Sequence, residues 1–219
     1  DLLTSKEYAE GIRARIREGE ARFDYESPRL VTSETGSTTH LSVVDGAGNV
    51  VALTQSINFF FGSGVMAQGT GILMNNHMND FDPRDGGPNA VGPGKRPVSN
   101  MAPTIVLKDG RPFLTVGSPG SARIISALGQ IVINLVDFGM GMDDAIEAPR
   151  AHVTGRTLAM EGRIAPEVVQ TLEGWGHQVR MYPEWDSYFG GAQGILMDAR
   201  KKKLYGGADS RRDGVAIGY

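Results

Sequence analysis

The run Ser37-Thr38-Thr39-His40 sets three hydroxyl side chains and an imidazole at the mouth of a patterned apolar stretch. A neutral threonine hydroxyl is a weak nucleophile and needs an adjacent base. If the bond between Ser37 and Thr38 is cut, Thr38 gains a free α-amine, whose ordinary pKa of about 7.7 to 8.0 leaves a useful neutral fraction near pH 7. One residue then holds both nucleophile and base. While the bond is intact the same nitrogen is an amide without basicity, so cleavage would act as a switch. Taken alone, the cluster reads better as ordinary loop and strand-entry residues, which are common before strands.

Other chemistries are poorly supplied. The 219 residues include no cysteine, which removes disulfides, thiolate catalysis and cysteine-rich zinc sites together. The four histidines, His40, His77, His152 and His177, show no HxxxH or HExxH spacing, so neither a metal site nor a cofactor is expected. A net charge of -3, with Lys and Arg dispersed, gives no footprint for nucleic acid or for an anionic membrane surface. The longest apolar run, "IISALGQIVINLV", falls short of the roughly 18 residues of a membrane span and carries Gln130 and Asn134. It reads as a buried helix. With 40% hydrophobic residues there is material for one sizeable core. The chain starts at Asp1 and enters a helical pattern at once, so it is expected to be a fragment or a processed piece, with any signal peptide upstream.

The elements that would position these groups follow from patterning. Thr4 and Glu7 fit a capping box, and Tyr8, Ile12 and Ile16 recur on one face, which predicts a helix over 4–18. Residues 17–36 are charged and aperiodic, as in a linker that is easily cut. "HLSVVD" and "VVALTQSIN" flank the turn "DGAGN" and predict a hairpin of partly or fully buried strands. "GILMNNHMNDF" predicts a further strand ending in a polar cluster, and 82–97 a Pro- and Gly-rich loop. "PTIVLKD" and "RPFLTVG", joined by Asp109-Gly110, lead into a helix whose apolar face holds Ile124, Ile125, Leu128, Ile131, Val132 and Leu135. A second helix is expected near "PEVVQTLEGWG", then strands at "HQVRMY", "AQGILMDA" and "KKLYGGAD". Such an order predicts an α+β fold of antiparallel sheets layered with helices rather than a βαβ repeat.

"TTHLSVVDGAGNVVALTQSINFFFGSG", "GILMNNHMNDF", "KRPVSNMAPTIV", "GSPGSARII" and "ADSRRDG" occur in an order and at separations that resemble the γ-glutamyltranspeptidase (glutathione hydrolase) family. The likeness covers nearly the whole chain. It implies an N-terminal nucleophile hydrolase with an αββα sandwich of mainly antiparallel sheets. Residues 1–37 would be the end of the large subunit, and 38–219 the small catalytic subunit.

By the same resemblance, Thr38 is the nucleophile freed by self-cleavage, and Ser56, where the family often has threonine, hydrogen-bonds it. Asn58 and Asp80 would bind the α-amino end of a γ-glutamyl group. His77 stands where many relatives carry glutamine or glutamate. Ser99 and Asn100 take the place of two consecutive serines that donate to a carboxylate. Gly120 and Ser121 take the place of the two glycines whose amides form the oxyanion hole. The arginine that binds the substrate carboxylate would lie upstream of Asp1, in the remainder of the large subunit. The loop between Asp80 and Lys95 is shorter than in well-known bacterial members, which suggests a more open pocket. The implied activity is hydrolysis or transfer of γ-glutamyl amides such as glutathione, in a periplasmic or secreted enzyme. Two alternatives stay open: a glutaryl-cephalosporin acylase or poly-γ-glutamate depolymerase with the same nucleophile, and a catalytically silent binding or structural domain.

Overall fold

The computed structural model describes residues 4–22, 37–84 and 86–219. Strands β1 (Ser37–Val44) and β2 (Val50–Asn58) form an antiparallel hairpin with Thr38 opposite Ser56 and His40 opposite Thr54. Its turn is closed by Asp45, whose Oδ1 accepts from the amides of Ala47 and Asn49 at 2.9 and 2.8 Å. The alternation of the two strands is the reverse of what an apolar core would ask. Thr38, His40, Ser42, Thr54 and Ser56 face inward, while Leu41, Val43, Val51 and Leu53 are 43–54% exposed on the other face. The sequence led us to expect partly or fully buried strands. The aliphatic face is instead open, because no described element packs over it.

The inward face of the hairpin lies on a four-stranded antiparallel sheet of order β3-β4-β8-β9, built from β3 (Thr104–Lys108), β4 (Arg111–Gly117), β8 (Gln193–Asp198) and β9 (Lys203–Ala208). The opposite face of that sheet carries α2 (Arg123–Val136) and α3 (Met142–Glu147). Period-two geometry sorts β4 between the two layers. Leu114 and Val116 join Ile124, Leu128, Ile131, Met142 and Ile146 in the core, whereas Thr115 and Gly117 face the hairpin. The layers are therefore sheet, sheet and helix, an α+β fold as the sequence suggests.

A third sheet, β5 (Ala151–Thr154), β6 (Thr157–Glu161) and β7 (Gln178–Tyr182), flanks this stack. Its β6–β7 pair is parallel and is connected through α4 (Pro166–Gly174), so one βαβ crossover exists where patterning predicted none. Two further expectations are corrected. Helix α1 spans only Lys6–Arg13 and is capped by Ser5, whose Oγ accepts from the Tyr8 amide at 3.1 Å, in place of a Thr4 box over 4–18. It buries no residue, and a helix without a packed face gains little beyond two turns. "GILMNNHMNDF" is not a strand. Leu73 makes one isolated bridge to Met66, and His77–Asp80 is a 3-10 turn, because Asn75 and Asn76 spend their side chains on the amides of His77 and Phe59. The linker expected at 17–36 lies mostly outside the described residues.

Between hairpin and sheet, His40 is buried with Nδ1 2.8 Å from Thr54 Oγ1 and Nε2 3.0 Å from Ser42 Oγ, which in turn lies 3.1 Å from Thr115 Oγ1. Only glycine fits beneath the ring, since a Cβ on Gly117 would clash with the imidazole. Burial pushes His40 down to about 4. His152 is also pushed down to about 4, first by burial and then by Arg123. Both are neutral in the native protein at pH 7, and the unfolded chain takes up protons that the folded one refuses. Their contribution to stability is present above pH ~6.5 and is lost as pH falls from there toward ~4, with uptake of about two protons on unfolding. Urea midpoints measured from pH 7 to 4 should fall across that window. A flat profile would contradict neutral burial of the two rings.

Candidate active site

The hairpin register slips between Ser37 and Thr38: Ser37 is opposite Asn58 and Thr38 opposite Ser56, leaving Ile57 as the extra residue of a bulge. This places three oxygens in series. Thr38 Oγ1 donates to Ser56 Oγ at 2.9 Å, and Ser56 Oγ donates to the Ser37 carbonyl at 3.1 Å. The Asn58 amide donates to the same Ser56 oxygen at 2.9 Å. Ser56 thus has its donor and both acceptor positions filled. Its proton is aimed at the carbonyl of the peptide bond that precedes the threonine.

Asn58 ends β2 with φ 71, a left-handed conformation that asparagine tolerates better than most residues. Its Nδ2 donates to Asp80 Oδ1 at 3.1 Å, and His77 Nδ1 donates to Asp80 Oδ2 at 2.7 Å. His77 Nε2 lies 3.4 Å from the Ser56 carbonyl. Thr38, Ser56, Asn58, His77 and Asp80, scattered over 43 positions from Thr38 to Asp80 inclusive, therefore form one connected polar group.

Asn89, which sequence reasoning did not single out, ties the next loop to this group. Its Nδ2 donates to the Asp80 carbonyl at 2.8 Å and its Oδ1 accepts from the Val98 amide at 3.0 Å. That bridge brings the segment holding Ser99 and Asn100 toward Asp80. Ser99 is exposed and accepts from the Met101 amide at 3.2 Å, while Asn100 is half-buried. The available signal was one asparagine among glycines and prolines, a composition that also describes any turn.

Gly120 and Ser121 lie on a separate turn between β4 and α2, held to the hairpin by the packing of Gly117 under His40. Their carbonyls accept from the amides of Arg123 and Ile124 and so start the helix. Ser121 has φ 55, a strained value for a residue with a side chain. The turn is pressed into shape by Gly190 and Gly191. A Cβ on Gly190 would lie 2.7 Å from both the Pro119 carbonyl and Ser118 Oγ, and the Gly191 amide donates to Ser118 Oγ at 3.1 Å.

Behind this loop sits a buried ionic cluster whose members the sequence left unassigned. Arg150 donates to the Phe189 carbonyl at 2.9 Å and pairs with Asp209 at 2.8 Å, and Asp209 Oδ2 accepts from the Ala192 amide at 2.9 Å. Arg211 closes the cluster on Asp209 and Glu161 at 2.9 and 2.6 Å. Together they grip segment 189–192 from both ends. Among the described residues no group of three or more His, Asp or Glu is placed to hold a metal ion, and no helix is long and apolar enough to cross a membrane.

A hydroxyl that donates to a second hydroxyl, itself bound to an adjacent carbonyl, suits acyl chemistry. The model of the γ-glutamyltranspeptidase family matches residues 1–219. A glutathione hydrolase proenzyme of Pseudomonas sp. (strain A14) is 38% identical over 99% of this chain and 41% of its own length. An ACY 1 acylase proenzyme of Pseudomonas sp. (strain SE83) is 38% identical over 98% of this chain and 38% of its own length. The crystal structure of a cephalosporin acylase from Bacillus halodurans superposes with a TM-score of 0.87 at 30% identity, covering 100% of this chain and 40% of that one. The chain thus spans about two fifths of the length of these relatives. With a family model matched from end to end, the chain belongs to the γ-glutamyltranspeptidase family.

Proposed function

We propose that this chain is the catalytic part of a self-cleaving hydrolase or acyltransferase that acts on γ-glutamyl amides such as glutathione through Thr38. The hydrogen-bond series from Thr38 through Ser56 to the Ser37 carbonyl carries this proposal. In the uncut chain, Thr38 Oγ attacks the Ser37 carbonyl carbon while Ser56 stabilises the oxygen, and the peptide bond becomes an ester as the Thr38 nitrogen leaves protonated. Water then cleaves the ester, leaving a Ser37 carboxylate and a free Thr38 amine. Residues 1–37 and 38–219 become separate chains.

In the mature form the Thr38 amine takes the proton of its own hydroxyl, and the oxygen attacks the donor's γ-carbonyl. The amides of Gly120 and Ser121, at the head of α2, receive the oxyanion. The leaving amine departs with the proton, and water or an acceptor amine resolves the acyl-threonine. Asn58 and Asp80 hold the donor's α-ammonium, with His77 beside them, and Ser99 and Asn100 its carboxylate. The remainder of the large subunit is the partner, and the open aliphatic face of the hairpin is where it fits. A periplasmic or secreted location belongs to the same proposal and is supported by family likeness alone.

The test uses the complete precursor. A γ-glutamyl affinity label should add to the processed protein at Thr38, as read by intact mass and peptide mapping. Ser56→Ala should slow self-cleavage about 100-fold, the effect of removing one oxyanion donor, and Ser56→Thr should restore it. A chain that stays uncut and unlabelled would overturn this proposal and favour the catalytically silent binding or structural domain.

A further inference from the structure

We infer that His77 sets donor selectivity by engaging the carboxylate that an α-ammonium needs, which weakens the site's preference for γ-glutamyl donors over glutaryl donors that lack this charge. The inference rests on Thr38 being the acylated nucleophile, as proposed above. An acyl group bonded to Thr38 Oγ through the fifth carbon of a glutamyl chain carries its α-carbon about 4 Å beyond the carbonyl. That end of the chain must be met by groups close to Ser56, and Asn58, His77 and Asp80 are bonded to it or to one another.

Within this trio the negative charge is already engaged. Asp80 Oδ1 takes Asn58 Nδ2 at 3.1 Å, and Oδ2 takes an imidazole N–H at 2.7 Å, the length of a strong charge-assisted bond. The ring is also fixed in place. Its backbone amide is held by Asn75 Oδ1 at 3.0 Å, its far nitrogen faces the Ser56 carbonyl at 3.4 Å, and it belongs to a 3-10 turn closed by the Asn79 amide on the Asn76 carbonyl at 3.0 Å. Both side chains are only about one quarter exposed, 26% for His77 and 25% for Asp80.

An arriving ammonium in this half-buried place needs a full acceptor to offset its lost hydration. It must therefore share or displace the imidazole N–H. A glutaryl chain presents a methylene there and leaves the histidine–aspartate pair intact. A glutamine at position 77 would offer the ammonium a carbonyl oxygen and would not bind Asp80 through a ring N–H.

The experiment compares γ-glutamyl and glutaryl anilides on the full processed precursor and its His77→Gln and His77→Asn variants. The ratio of kcat/KM for γ-glutamyl over glutaryl donor should rise about tenfold in both variants, the size of one charge-assisted hydrogen bond. Because the readout is a ratio within one protein, partial misfolding lowers both rates and does not mimic it. A ratio that stays the same, or falls, overturns the role of His77 while the Thr38 chemistry stands. If neither donor acylates Thr38 in the processed wild type, the proposed function falls and this inference falls with it.

Discussion

Thr38→Ala in the full precursor is expected to leave one unbroken chain and to abolish turnover, a loss of about 10⁴-fold or more, as is usual when a nucleophile is removed. Both effects have one cause. In the proposed mechanism the hydroxyl that cuts the Ser37–Thr38 bond is the hydroxyl that later carries the acyl group, and no other described side chain donates to Ser56 Oγ. Thr38→Ser keeps the oxygen and should keep both activities at reduced rate. Amino-terminal sequencing gives the complementary measurement: the wild-type small chain should begin at Thr38, and the alanine variant should yield no such terminus. A cut Thr38→Ala chain, or one that turns over donor at the wild-type rate, would refute the proposed mechanism.

The second large effect is expected far from the nucleophile. Arg150, Glu161, Asp209 and Arg211 are almost completely buried, and each is held by several charged or backbone partners. Removing one partner strands the others in a low-dielectric interior, which typically costs about 3–5 kcal/mol. For a domain of this size Asp209→Asn or Arg150→Met should lower Tm by roughly 10 °C. The cluster also grips Phe189 and Ala192, between which Gly190 and Gly191 bear on the turn of Gly120 and Ser121. Below its new Tm, Asp209→Asn should therefore lose kcat more than it raises KM, since the oxyanion is met only in the transition state. An Asp209→Asn protein with unchanged Tm would show that the cluster is not the structural key described here.

Both results bear on what a sequence reveals. The β1–β2 hairpin was legible because its turn residues and alternation are local. The pairing of Thr38 with Ser56 was expected from the family resemblance alone and not from patterning, because it depends on a bulge at Ile57 that no propensity marks. His77 came to attention only as a departure from a family pattern. Its bond to Asp80 arises from a 3-10 turn created by Asn75 and Asn76, in a segment whose apolar residues suggested a strand. Helix α3, at six residues, is too short for its period to show. Arg150 and Asp209 are 59 positions apart in the chain, and nothing local says that they meet.

The inverted hairpin has a consequence for synthesis. A two-stranded ribbon that exposes Leu41, Val43, Val51 and Leu53 is a template for unwanted strand pairing until something shields it. If the remainder of the large subunit covers this ribbon as proposed, translation delivers it before the ribbon leaves the ribosome, and the shield is on hand when the hazard appears. On that reading, covalent continuity through Ser37 does a chaperone's task, and the proposed self-cleavage severs the chain only after that task is complete.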